Sequence, residues 1–327
     1  MEDPTMNAPA TELELGVLRH LRGDLEGAEE LYRVALAAEP ENPVTLNNLG
    51  FVIAQSGRFA EAVTWYERAL DLDADRAVAH LNLGNARAAL GDLDGGIEEL
   101  RRSAELAPDN ATAFDNLGQL LLLAGRYAEA ETTWTEAVRL APGDPAPRTA
   151  WATVVAARGR LGEAVEILYQ ALALDDEYAP AWAQLGALLV VRGDLASGCD
   201  ALSRAKTLAP ADTDVRRHLA VALMSLGRRD EAAAELTELL RVDPAATEAR
   251  VDLAVLHLAA DRPSAALALL DRALEKAPDD DRALLHRGLA LRELGRTSEA
   301  DDVLRALAES GSAYSSRASE LSEPDVR

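Results

Sequence analysis

Apolar positions along this chain fall in helical rather than alternating order. From Ala77 to Leu90, the residues Leu81, Leu83, Ala86, Ala88 and Leu90 give the mixed apolar faces of one helix. Gly91-Asp92 breaks it, because Gly accepts the left-handed backbone that ends a helix and Asp can cap the next. A second helix is predicted from Leu93 to Ala107, stopped by Pro108-Asp109-Asn110. The pattern then starts again. Asn48-Leu49-Gly50, Asn82-Leu83-Gly84 and Asn116-Leu117-Gly118 stand 34 residues apart. The same register runs without insertion from Gly16 through Ala152, Gly186, Ala220 and Ala254 to Gly288. A fixed period of this length denotes stacked repeats.

The predicted organisation is a short lead (1–8), an all-α solenoid (9–314) and a polar tail (315–327). The solenoid divides into nine helix–turn–helix units: 9–42, 43–76, 77–110, 111–144, 145–178, 179–212, 213–246, 247–280 and 281–314. Within each unit the eighth and twentieth positions are Gly or Ala, so the paired helices can approach closely. Large residues fill the spaces beside them, with Leu49, Leu83, Leu117, Trp151 and Leu185 at the seventh position. Tyr32, Tyr66, Leu100, Trp134 and Leu168 do the same at the twenty-fourth. Unit one must tolerate water on one side of its first helix, which Glu12, Glu14 and Arg19 favour. Unit nine ends in a helix from about Ser298 to Glu309 whose Asp301, Asp302, Arg305 and Glu309 suit a cap. The tail is expected as disorder or a short frayed helix.

Small residues at eight and twenty, an aromatic or Leu at twenty-four and Pro at thirty-two resemble the tetratricopeptide repeat (TPR) across 9–314. The resemblance implies a right-handed α-α superhelix with a concave groove lined by the first helix of each unit. It also implies a peptide or protein partner and, for most members, no catalytic activity of their own. Three departures stand out. Ala74 and Asp176 replace the closing Pro of units two and five, and Asp261-Arg262-Pro263 replaces the turn Gly of unit eight. Pro142, Pro145 and Pro147 crowd the junction of units four and five, where the chain either bends or continues undisturbed.

Charge narrows the partners. A net charge of -23 repels nucleic acid and anionic membranes. The N-terminus lacks the apolar run of a secretory signal, and no stretch reaches the length of a membrane span. Cys199 is the only cysteine, so a cytoplasmic setting is expected, with the thiol buried and inert.

No catalytic site, cofactor site or metal site is expected. His218, Asp252 and His286 share the sixth position of successive units, but one unit's helix lies about 8–10 Å from the next, too far for a shared metal ion. The groove is the better candidate. In the resembled family, positions two, five, six, nine, twelve and thirteen point into it. Here that places Asn48, Asn82, Asn116 and Gln184 (sixth), with Asn85 and Gln119 (ninth), as candidate peptide-binding residues. An amide donates and accepts, so a row of them can hold an extended backbone whatever its side chains. The arrangement is similar to the asparagine ladder in the repeat arm of O-linked N-acetylglucosamine transferases. With 13 residues after unit nine, no transferase domain is expected. The same amides can instead satisfy hydrogen bonds between repeats. From unit five the lining turns apolar, through Ala156, Ala183, Ala187, Val190, Val221, Met224, Val255 and Leu258.

These features predict a non-catalytic scaffold or adaptor that binds a peptide or protein in its concave groove. The alternatives are a self-assembling homo-oligomer and the recruiting arm of a separately encoded enzyme. The position-five residues Leu13, Asn47, Leu81, Asp115 and Thr149 lack the Lys of a basic carboxylate clamp.

Overall fold

A computed structural model describes residues 11–322, so the lead at 1–8 lies outside the described residues. Among these are nineteen helices and no strand. They form two compact bodies, one ending at Asp175 and the other starting at Asp176.

The first body pairs α1 (Glu12–Leu21) with α2 (Leu25–Ala38), α3 (Pro43–Gln55) with α4 (Phe59–Leu72), and α5 (Ala77–Ala89) with α6 (Leu93–Leu106). It continues with α7 (Ala111–Leu123) and α8 (Tyr127–Leu140), then α9 (Pro145–Ala157) and α10 (Leu161–Leu172). The second body pairs α11 (Ala179–Val191) with α12 (Leu195–Leu208), and α13 (Thr213–Ser225) with α14 (Arg229–Val242). It continues with α15 (Thr247–Ala259) and α16 (Pro263–Leu274), then α17 (Asp281–Glu293), α18 (Thr297–Glu309) and α19 (Ser315–Ser322). In each body every helix packs on the next, so each body is a stack of helical hairpins.

The turns follow from their residues. Gly23, Gly57, Gly91, Gly125, Gly159, Gly193, Gly227 and Gly295 all take left-handed φ values between 72° and 89°. Unit eight lacks that Gly, and Asp261 adopts φ 56° in its place. Asp is one of the few side chains that tolerates this region. Two devices then start the second helix. Asp24, Asp92 and Asp194 accept a hydrogen bond from the backbone N–H three residues on. Where Arg stands at that position, as at Arg126, Arg160, Arg228 and Arg296, it pairs with the Glu three residues later.

Small residues sit where the period places them. In the first body Ala28, Ala62, Ala130 and Ala164 are fully buried, as are Ala232, Ala266 and Ala300 in the second. A methyl group added to Gly118 would lie 2.6 Å from Trp134 Cε2, and one on Gly50 would lie 2.7 Å from Tyr66 Cε1. Units three and six carry Gly at both small positions, and their helix pairs share the most extensive packing among the described residues. Trp134 is buried, whereas Trp151 at the seventh position of unit five is half-buried with its Nε1 shielded from solvent.

The crowded prolines fall at tolerant places. Pro145 opens α9, where the backbone has no intrahelical acceptor to lose, and Asp144 caps the helix through Ala146 N–H. Acidic and basic side chains link successive second helices, as in Arg33–Glu61, Arg58–Glu29 and Arg160–Glu131 in the first body and Lys206–Glu235 in the second.

The two ends differ from a simple polar cap. The polar stretch from Ser315 folds as α19, which buries Ala318 against Leu285, Leu304 and Leu307. Glu12, Glu14 and Arg19 are exposed on α1 as expected, but Leu15, Leu18 and Leu21 are exposed beside them.

Candidate functional site

In the first body α3 touches α5, α5 touches α7, and α7 touches α9, so the first helices of neighbouring units form one face. At about 100° per residue, positions two, five, six, nine, twelve and thirteen fall in one stripe of each helix. The candidate amides of units two to four lie on this face, but they do not behave alike.

Asn82 is buried, at 8% exposure, and its Nδ2 donates to Asn47 Oδ1 at 3.1 Å. Asn47, at 6%, donates in turn to Asn48 Oδ1 at 3.4 Å. This short relay fastens α5 to α3, the inter-repeat use of amides that competes with ligand contact. Asn47 is the member that reading along the sixth position misses. It stands 35 residues before Asn82, one residue off the repeat period, so the pairing joins position five of one unit to position six of the next.

Gln119 is also engaged: its Nε2 donates to Asp115 Oδ2 at 2.8 Å, while Trp134 Nε1 donates to Asp115 Oδ1 at 2.9 Å. Asp115 thereby anchors a core indole and a surface amide at once. Asn48 and Asn116 are half-buried and Asn85 is exposed. Asn85 and Asn116 form no side-chain hydrogen bond with another described residue, and Asn48 accepts from Asn47 while its own Nδ2 donates to none. Exposed apolar side chains flank them on the same stripe: Val44, Val78 and Leu123, the last 70% exposed. At the α1 side of this face His20 packs on Phe51, with ring centroids 5.3 Å apart, and bonds Gln55 at 3.0 Å. Positions twelve, nine and thirteen of adjoining units meet there, a cluster legible only once adjacent helices are placed side by side.

Gln184 lies in the second body, on α11, half-buried and already in a polar interaction. Half of the apolar lining expected from unit five is consumed by packing: Ala183, Val190 and Met224 join one core cluster and Leu258 another. Val221 stays exposed, at 42%. The sixth-position column of this body is polar. Asp252, 7% exposed, pairs with Arg282 at 2.5 Å. His286 is half-buried with its Nδ1 shielded from solvent, and burial, then the Arg282 guanidinium, hold its imidazole below the ordinary value. Among the described residues no three His, Cys, Asp or Glu side chains are grouped to hold a metal ion. Cys199 is 2% exposed, and burial pushes its thiol up. No helix among the described residues is long and apolar enough to cross a membrane.

The helical hairpins, their 34-residue period and the small-residue pairs find their counterpart in known families. Models of the tetratricopeptide repeat match residues 81–145, 223–290 and 282–310, and a TPR repeat model matches 52–91. The chain belongs to the tetratricopeptide repeat family. No curated protein matches this TPR sequence. Among solved structures, the APC/C hetero-tetramer Cut9-Hcn1 is 18% identical with a TM-score of 0.61, over 86% of this chain and 55% of that one. At that identity the likeness establishes the TPR fold alone. MamA is 25% identical over 51% of this chain and 92% of its own, with a TM-score of 0.47. YrrB, described as a TPR protein with an unusual peptide-binding site, is 20% identical over 57% of this chain and 96% of its own, with a TM-score of 0.48.

Proposed function

We propose that this TPR chain is a non-catalytic scaffold that holds an extended peptide or protein segment across α3, α5 and α7. The family is one whose repeats serve protein interaction. The observation that carries the finer reading is the trio Asn48, Asn85 and Asn116, whose Nδ2 groups donate to no described residue, on three adjacent helices flanked by Val44, Val78 and Leu123. Amides grip backbone, and the apolar neighbours take alternate side chains. Asn82, buried and bonded to Asn47, holds the platform rather than the ligand.

The test separates these jobs. Replacing Asn48, Asn85 and Asn116 together with Ala should keep the helicity, give up only the long 3.4 Å bond from Asn47, and remove the proteins that co-purify with the wild-type chain. Asn82→Ala strands Asn47 Oδ1 and should cost about 1–3 kcal/mol of stability instead. Undiminished recovery of partners by the triple variant would sink the amide trio as a binding site.

A further inference from the structure

The first helix carries a surface that the repeat buries elsewhere. In units two, three and four the seventh and tenth positions are Leu49 and Val52, Leu83 and Ala86, and Leu117 and Leu120, none more than 8% exposed. The preceding second helices, α2, α4 and α6, pack on α3, α5 and α7. The equivalent pair in unit one, Leu15 and Leu18, is 40% and 47% exposed, and Leu21 is 77% exposed. No described residue plays the part of a preceding helix.

Charge and spacing on α1 point to what covers this surface. At about 100° per residue, Leu18 lies at the centre of the stripe, with Leu15 and Leu21 some 60° to either side. Glu14 and Arg22 lie about 40° to either side, four residues before and after Leu18. The acidic Glu12 and Glu14 stand at the start of the helix, and Arg19 and Arg22 at its end. Arg19 already pairs with Asp24 at 2.8 Å. Arg22 has no ion pair among the described residues.

We propose that α1 is the interface of a homodimer, packed antiparallel on α1 of a second copy with the two-fold axis at Leu18. Leu18 then meets Leu18, and each Leu15 is level with Leu21 of the other copy. Each Glu14 is level with Arg22 of the other copy, so the symmetry forms the ion pair twice. A parallel arrangement sets like charge against like. Head-to-tail stacking fails on the same grounds of chemistry, because the exposed residues of α19 are Ser316, Arg317, Ser319 and Glu320, a polar face. A ten-residue helix is about 15 Å long, so the contact falls below the usual area of about 800 Å² per partner. The contact is accordingly in the size class of weak, transient interfaces. It takes Glu14 and Leu21 from the sixth and thirteenth positions of α1 but uses none of the amides on α3, α5 and α7.

Sedimentation velocity on the full chain over a wide concentration series tests it. The wild type should move from monomer to dimer and stop at two. Leu18→Asp, at an exposed position, should stay monomeric with unchanged helicity. Arg22→Glu should weaken association about tenfold through two lost ion pairs, and Glu14→Arg combined with Arg22→Glu should restore it. A wild-type monomer at every concentration overturns the proposal, as does dimerisation of Leu18→Asp, growth beyond two, or failure of the charge swap to rescue. Association that appears only after residues 1–10 are removed assigns the face to the chain's own lead and also overturns it.

Discussion

Gly118 and Trp134 show how two positions sixteen residues apart constrain one another. The glycine hydrogen faces the indole, and a Cβ there would lie 2.6 Å from a ring carbon. Where the twenty-fourth position is Tyr or Trp, the eighth is Gly; units five, seven and eight combine Ala152, Ala220 and Ala254 with Leu168, Leu236 and Leu270. Gly118→Ala should therefore cost about 1–3 kcal/mol, because a buried ring has little room to move. Trp134→Leu alone should also destabilise, through its cavity and the loss of the bond to Asp115. The double variant reproduces a pairing the chain already uses and should melt higher than the sum of the single losses predicts. Strict additivity in chemical unfolding would show that the two positions do not share one space.

Helices α15 and α17 bring a charged pair and a histidine together. Burial lowers the His286 imidazole, Arg282 lowers it further, and Asp252 pulls the other way. His257 is lowered too, by burial and then by Arg262. The unfolded chain takes up these protons at higher pH than the folded one, so stability falls as pH drops below about 6.5. His286→Gln should flatten the decline of melting temperature between about pH 7 and 5.5. An unchanged slope would mean the imidazole titrates alike in both states. The carboxylates act in a separate window. Burial raises Glu29 and Glu131, but their arginine partners outweigh it, and the net lowering gives a contribution that is full above the ordinary carboxylate value and is lost as pH falls from there through the lowered one. The helix starts were partly legible. Gly followed by Asp announces a turn and a cap, whereas the Arg-x-x-Glu starts carry no capping side chain and are recognised through their ion pairs.

Across the whole chain, stacked units share stability with their neighbours, so the ends matter most. At the C-terminal side α19 closes the second body over Leu285, Leu304 and Leu307. Ala318→Asp puts a charge at a fully buried position and should unseat that helix, lowering the melting temperature and speeding amide exchange in α17 and α18 first. Equal exchange in the variant and wild type would show that α19 contributes nothing. Ser-rich composition left disorder and a short frayed helix as the two readings of this tail, and one small residue with two flanking apolar side chains decides for a docked helix. What the sequence alone determined is the part set by local period: helix after helix, the left-handed turn at each Gly, small residues at eight and twenty, and the TPR family. A repeat interacts chiefly with its neighbours, so its own pattern encodes its packing. Only tertiary structure decided which polar groups remain unspent. Asn48, Asn82 and Asn116 are equivalent by period, yet Asn82 is bonded to Asn47 across a unit boundary while Asn116 is not. Hydrogen bonding depends on the atoms that a neighbouring helix happens to present, and that is not written at any single position.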